Sequence, residues 1–399
     1  MPPRAAASAE APHRRTIELA ALMASACIVG ASLALSFPLL SLVLEASGAG
    51  PAAIGLNAAA HGLGVVLAAP FFGRAIQGVG AARVMRYGLA AAAGLLVLFP
   101  LHVDLSLWFL LRLLFGAATA AVFVVSEAAI NALVDDHRRG RVLGLYGTMF
   151  AVGYAAGPLI IAGVGSEGMA PFLIGTAILA LGILPTFAIP SIDQALGGNP
   201  AAYAARRLFG LWRTAPLILA TGATVALIET TQFALLPVWG LRLGMTEGAT
   251  ALLLGLWIGG NILLQYPIGW LADRLPRRRL LAACAGLATL LSLALVSPAV
   301  TGNPALLWPV LLVHGGMSGG IYVLALALMG ERFKGASLAG ANAAFILTYE
   351  VGAMVGPPTA GLAIWAVDAP GLPAVFVIAL TGLALGALLA RQPPRRNAA

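Results

Sequence analysis

The chain has 399 residues, of which 60% are hydrophobic and only 10% charged, with a mean hydropathy of +0.94. A soluble globular chain is about 45–50% apolar and about 25% charged, so an ordinary soluble domain is excluded. A net charge of +8 and a pI of 10.2 would suit a nucleic-acid binder, but the placement of the charges, described below, excludes that partner.

A bilayer span needs about 20 mostly apolar residues. Runs of that kind lie near 17–44, 51–76, 82–101, 106–130, 141–165, 169–190, 215–241, 248–272, 279–299, 304–329, 337–366 and 371–390. Without water each must be a helix that satisfies its own backbone. A transmembrane barrel would instead show short strands of alternating polarity. The expectation is an all-α polytopic membrane protein with twelve transmembrane helices. Tails occupy 1–16 and 391–399, six-helix bundles 17–191 and 215–390, and a linker 192–214.

With the N-terminus inside, 21 of the 23 Lys and Arg fall in tails or inside loops, and the outside loops hold only Arg242 against Glu45, Asp104, Glu167, Glu247 and Asp368. This is the positive-inside pattern. It predicts that both termini are cytoplasmic. The first apolar run is too long for a cleavable signal peptide. Cys27 and Cys284 both fall in spans, so neither a disulfide nor a metal cluster is indicated. The first dozen residues read as a loose tail. In the linker, Tyr203, Leu208, Phe209 and Trp212 beside Arg206, Arg207 and Arg213 suit a helix lying on the membrane surface.

The two halves repeat each other. SFPLLSL (36–42) matches ALLPVWG (234–240), and LWFLLRLLFG (107–116) matches LWPVLLVHGG (307–316), laying Gly116 on Gly316. GYAAGP (153–158) matches GAMVGP (352–357), and APFFGR (69–74) matches YPIGWLADR (266–274). Four matches in one order indicate an internal duplication. A six-plus-six repeat in a membrane suggests two bundles rocking about a site at mid-depth.

The stretch PIGWLADRLPRRR (267–279) resembles the loop motif of the major facilitator superfamily, and its Gly269, Asp273, Arg274, Arg277 and Arg278 stand at the motif's positions. Arg112 with Gly116 resembles that family's fourth-span motif. Gly144, Gly153, Gly157 and Pro158 resemble the fifth-span motif of its drug:proton antiporter branches, repeated at Gly352, Gly356 and Pro357. VVSEAAIN (124–131) and ANAAFILTYEVGAMVGP (341–357) look like the small bacterial YcaD-like branch. The chain departs from the family at Gln77 and Gly78, where the first-half loop should hold Asp and Arg, at Pro276, and at Ile161 and Ala162. By resemblance, the region near Arg141 at the start of span five neighbours Asp273. Contact between them would latch the inner gate while the protein faces outward. The competing reading is a solvated basic loop, which explains the arginines and leaves Asp273 unexplained.

Charge inside a membrane costs about 2.5–3.5 kcal/mol or more per residue, so each such residue is a functional candidate. Arg112 lies about 6 residues into span four; its resemblance to the fourth-span motif implies that it helps proton transfer or holds an anionic substrate, and because a guanidinium stays charged it would tune a neighbouring acid and not carry protons itself. Glu127 lies near the inner end of the same span, where it can reach water. Glu229 sits ~15 residues into span seven, hence ~22 Å deep. It is the first choice for proton coupling or for a cationic group, and Thr230, Thr231 and Gln232 follow it. Glu350 is ~12 residues into span eleven, where gating and coupling are equal readings. His61 and His314 lie ~10 residues into spans two and ten. Met317 stands one turn from His314, a weak pointer to a soft metal.

The expected cavity contacts are Ser36, His61, Arg112, Glu229, Thr230, Gln232 and His314. The expected function is secondary active transport of a small molecule by alternating access, with proton-coupled export by antiport. A proton-coupled or metal-ion importer of the same fold is the alternative. No phosphate-binding loop of the G-x-x-x-x-G-K-[ST] kind and no nucleophile–base constellation is present, so neither an enzyme nor a cofactor is expected. The partners expected are the solute, protons and lipid, with no nucleic acid and a monomeric protein.

Overall fold

A computed structural model describes residues 4–134, 136–189, 192, 212–333 and 336–390. Its helices run α1 Arg4–Ala46, α2 Pro51–Val79, α3 Ala81–Leu98, α4 Leu105–Leu133, α5 Asp136–Val164 and α6 Ala170–Leu181, the last continued by a 3-10 turn at Leu184–Ala188. The second set runs α7 Pro216–Arg242, α8 Glu247–Ala272, α9 Arg277–Val296, α10 Pro304–Arg332, α11 Ala336–Val367 and α12 Gly371–Leu389, with a one-turn helix at Pro298–Thr301. Eleven helical segments are long and apolar enough to cross a membrane, and α11 completes the twelve. No strand occurs among the described residues.

Helix starts are set by local chemistry. Pro51, Pro171 and Pro216 stand in the first turns of α2, α6 and α7, where a missing N–H costs nothing. Asp104 accepts from Leu107 N at 2.8 Å to cap α4, and Thr246 accepts from Ala249 N at 3.3 Å to cap α8. The loose tail expected over the first dozen residues is replaced by helix from Arg4, as its run of alanines favours. Of the expected surface helix in the linker, Tyr203, Leu208 and Phe209 lie outside the described residues. Trp212 begins a short described turn and is half exposed.

Two six-helix bundles, α1–α6 and α7–α12, form the molecule, and glycines position the helices within each. A Cβ at Gly153 would lie 1.9 Å from Cys27 O, and one at Gly352 would lie 2.1 Å from Ala223 O. Only glycine lets α5 press on α1, and α11 on α7, so closely. The same device joins α2 to α4 through Gly64 and Gly116, and α8 to α10 through Gly260 and Gly315. The contact repeats at Gly116 with His61 O and Gly315 with Trp257 O, 2.0 Å in each case. The structural partner of Gly116 is therefore Gly315, one residue before the Gly316 of the sequence match. Laying the two motifs letter on letter is thus one residue off at this contact, because the glycine that faces the neighbouring backbone sets the register.

Candidate functional site

The loops carrying Glu45, Glu247 and Asp368 lie at one end of the bundles, here the acidic face; Asp273, Arg277 and Arg332 lie at the other, the basic face. At the acidic face the halves are clasped. Arg242 donates to Glu45 Oε1 at 3.0 Å and to Asp368 Oδ1 at 3.2 Å, and the Ser166 hydroxyl donates to Glu247 Oε2 at 2.8 Å. At the basic face no hydrogen bond or ion pair joins the halves among the described residues. Asp273, 75% exposed, reaches Arg277 of its own loop at 3.9 Å. Arg277 also bonds Glu331 at 3.3 Å, Arg274 lies over the Trp270 ring at 3.8 Å, and Arg278 donates to the carbonyls of Ala387 and Ala390. The motif arginines thus tie α8, α10 and α12 together within one half. The side chains of Arg141 and Glu127 lie outside those described, as does Gly144.

In the C-terminal half, three helices converge on one carboxyl. Glu229 of α7 accepts at Oε1 from Asn261 Nδ2 of α8 at 3.1 Å and at Oε2 from the Tyr349 hydroxyl of α11. Asn261 Oδ1 in turn accepts from Gln265 Nε2 at 2.6 Å. Glu229 keeps part of its surface accessible. Tyr154 of α5 brings the other half near this point, its ring 4.7 Å from that of Phe233 on α7. Gln232 is fully buried on α7, and neither amide atom meets a protein partner. Thr231 Oγ1 is also buried without a partner, whereas Thr230 is half-buried.

In the N-terminal half, Arg112 of α4 is 1% exposed. Its Nη1 donates to Ser36 O at 3.3 Å, its guanidinium carbon lies 3.9 Å from the centre of the Phe37 ring, and its Nε has no partner. No carboxylate pairs with it among the described residues. His61 of α2 packs between Phe37 and Phe115, at 5.1 and 6.0 Å, with Nδ1 unpartnered. The Ser36 hydroxyl bonds back to Leu33 O of its own helix, so its carbonyl is what meets Arg112.

Two expected residues lie away from the Glu229 network. The carboxyl of Glu350 sits on the seam between halves, 3.5 Å from where a Cβ at Gly62 of α2 would stand. His314 is enclosed in its own half, its Nδ1 accepting from Trp257 Nε1 at 3.1 Å and its Nε2 3.1 Å from Ser292 Oγ. Because the indole can only donate, Nε2 carries the proton and Ser292 receives it. Ser292 then donates to Ala288 O. His314 therefore holds α8, α9 and α10 together, and is not brought to Glu229. No three His, Cys, Asp or Glu side chains gather as a metal site among the described residues. Asn261, Gln265, Tyr349 and Tyr154 were not anticipated as site residues. The spacing of Asn261 and Gln265, four apart on one helix face, was the available signal.

Two bundles of six membrane helices, with buried polar groups near mid-depth where they meet, define a protein of the transporter class. The Major Facilitator Superfamily model matches residues 22–357 and 218–399, and the chain belongs to that family. It is 26% identical over 338 residues to the uncharacterised MFS-type transporter YfkF of Bacillus subtilis, covering 84% of this chain and 85% of that one. To YcaD of Escherichia coli, likewise described as an uncharacterised MFS-type transporter, it is 26% identical over 250 residues, 63% of either chain. Among solved structures, a mutant of the nucleoside transporter NupG superposes with a TM-score of 0.76 at 15% identity, over 94% of this chain and 99% of that one. A D-xylose–proton symporter superposes at 0.69 and 14%, over 92% and 97%.

Proposed function

We propose that this protein is a proton-coupled secondary transporter that exports a small organic molecule from the bacterial cytoplasm by antiport, working as a monomer in the inner membrane with both termini inside. The observation that carries the reading is the setting of Glu229. A lone carboxyl near mid-depth meets two neutral donors, Asn261 and Tyr349, and no cation pairs with it among the described residues. Such a group can exchange a proton without breaking an ion pair, and its remaining accessible surface gives the proton a route. The clasp between the halves at the acidic face supports an arrangement that a cytoplasmic solute would enter from the opposite side. In the opposite state, Asp273 is free to leave Arg277 and meet the start of α5 near Arg141, closing the basic face.

A second reading, uptake by proton symport, is favoured by Gln232, whose unpaired donor and acceptor suit a hydroxyl-rich solute. The superposed nucleoside transporter and xylose symporter have solutes of that kind. Proteoliposomes enclosing a pH-sensitive dye test both. A solute gradient should move protons, in opposite senses for the two readings, and Glu229→Gln should abolish the movement. Solute flux with no proton movement, unaltered by Glu229→Gln, would falsify the coupling.

A further inference from the structure

At the acidic face the N-terminal half encloses a cavity of about 260 Å³, well apart from the network around Glu229. Its walls differ in how they are held. One is the α3–α4 loop, with Pro100 and Val103. The fully buried Trp108 donates from Nε1 to Phe99 O at 3.0 Å and to His102 O at 2.9 Å, which pins this wall on both sides of Pro100. Val43 and Ala46 at the end of α1 and the buried Phe172 of α6 extend the fixed part. The facing wall is the α5–α6 loop from Ser166 to Met169. Gly165 and Gly168 bracket Ser166 and Glu167 at φ +80° and +69°, backbone that glycine adopts freely, so the two residues between them can swing together. Ser166 is held by the other half: its N–H donates to Glu247 Oε2 at 3.2 Å and its hydroxyl to the same oxygen at 2.8 Å. One wall of the cavity is therefore also one side of the clasp.

The lining defines an occupant. Val43, Val103 and Phe172 offer apolar surface, whereas Glu167 is exposed and anionic. The loops of this face carry Glu45, Asp104, Glu167, Glu247 and Asp368 against the single cation Arg242. A surface of one sign concentrates counter-ions from water. Sites for drug-sized ligands measure about 300–1,000 Å³, so the occupant here is smaller, one ring on a short chain, and not a whole lipid.

We infer that this cavity is an effector site for a small apolar ammonium ion arriving from the water on the acidic side. Its apolar body lies between the pinned α3–α4 loop and the α5–α6 loop, and its ammonium stands beside Glu167. The cavity keeps its shape while Glu247 holds Ser166, so the ion binds the clasped arrangement better and raises its population. By reciprocity, losing the clasp weakens the ion's binding. The site stands whether or not Glu229 carries a proton.

The test uses three probes of one frame: phenethylammonium, phenethyl alcohol and hydrocinnamate. Full-length protein in phosphatidylcholine nanodiscs is titrated with each, read by tryptophan fluorescence and by distances between spin labels at the acidic ends of α5 and α8. Phenethylammonium should bind about two- to fivefold more tightly than the alcohol, the range of one exposed ion pair, and hydrocinnamate most weakly. Its binding should lower the separated population severalfold. Glu167→Gln, a change to an exposed side chain, should make the ammonium and the alcohol equal. Ala46→Phe should fill the cavity and abolish the binding of both; were it not to fold, Glu167→Gln decides alone. Glu247→Ala should weaken the ammonium severalfold and remove the distance response. Equal binding of the three probes, an ammonium preference that survives Glu167→Gln, or ammonium binding that leaves the distances unchanged would overturn the site. Phosphatidylethanolamine added to the nanodiscs should not alter the titration; competition by it would give the cavity to a lipid headgroup and overturn the inference as well.

Discussion

In the C-terminal bundle the carboxyl of Glu229 meets an amide and a phenol, whereas in the N-terminal bundle the guanidinium of Arg112 meets one backbone carbonyl and a ring. The helices around the two groups repeat each other closely, down to the paired glycine contacts of Gly116 and Gly315. Duplication has preserved the packing and let the polar chemistry diverge. A group with its hydrogen bonds met by protein can change protonation without disturbing the fold, while one left short of partners is suited to meet a solute. The seams between halves differ as well. α2 and α11 are pressed together at Gly55 and Gly361, where a Cβ would lie 2.1 and 2.2 Å from a carbonyl oxygen. Between α5 and α8 the corresponding approach, Gly255 to Pro158, is an ordinary 3.5 Å.

Breaking the satisfied side of this comparison should have the largest effect. Glu229→Gln is expected to remove solute-driven proton movement altogether while leaving the thermal unfolding midpoint within a few degrees, because an amide can still bond Asn261 and Tyr349. Next come the packing glycines. Gly153→Val drives a Cβ into Cys27 O and should destabilise by about 1–3 kcal/mol or more. Gly255→Ala on the loose seam should unfold at the wild-type temperature in detergent. A loss of similar size, confined to coupling, is expected for Tyr349→Phe. Removing one hydrogen bond to a charged group costs about 1.5–3 kcal/mol, so the rate of coupled proton movement should fall roughly tenfold or more. Smallest is Arg242→Ala, which opens one partly exposed ion pair between the halves, to Glu45, and one within the C-terminal half, to Asp368, each worth about 0.2–1 kcal/mol. Distances between spin labels at the acidic ends of α1 and α7 should show a severalfold rise in the separated population. An unchanged distribution would mean that the acidic-face clasp does not bias the two states.

Much of the fold was legible in the sequence because bilayer spans write themselves as long apolar runs, and each of the twelve helices overlaps one of those runs, although α1 starts thirteen residues early at Arg4 and α6 stops at Leu181. The glycine pairs in α5 and α11 were equally legible, since a small residue every fourth position has one mechanical use in a membrane. What a single chain does not reveal is helix rotation. Glu229 could be placed in depth by counting residues, but its partners Asn261 and Tyr349 come from helices 32 and 120 residues away. His314 shows the same gap from the other direction: counted to mid-depth, it turns instead toward Trp257 and Ser292 within its own bundle. Arg242 was visible as the lone cation among acidic loops, yet nothing local linked it to Glu45, 197 residues earlier.

The central claim is that Glu229 is the group that gains and loses the transported proton. It is tested most directly by infrared difference spectroscopy of the reconstituted protein between acid and neutral buffer. The account predicts a protonated-carboxyl band in the wild type and in Glu350→Gln that is absent from Glu229→Gln. A band that survives Glu229→Gln and vanishes in Glu350→Gln would move the proton to the seam between α2 and α11 and contradict it.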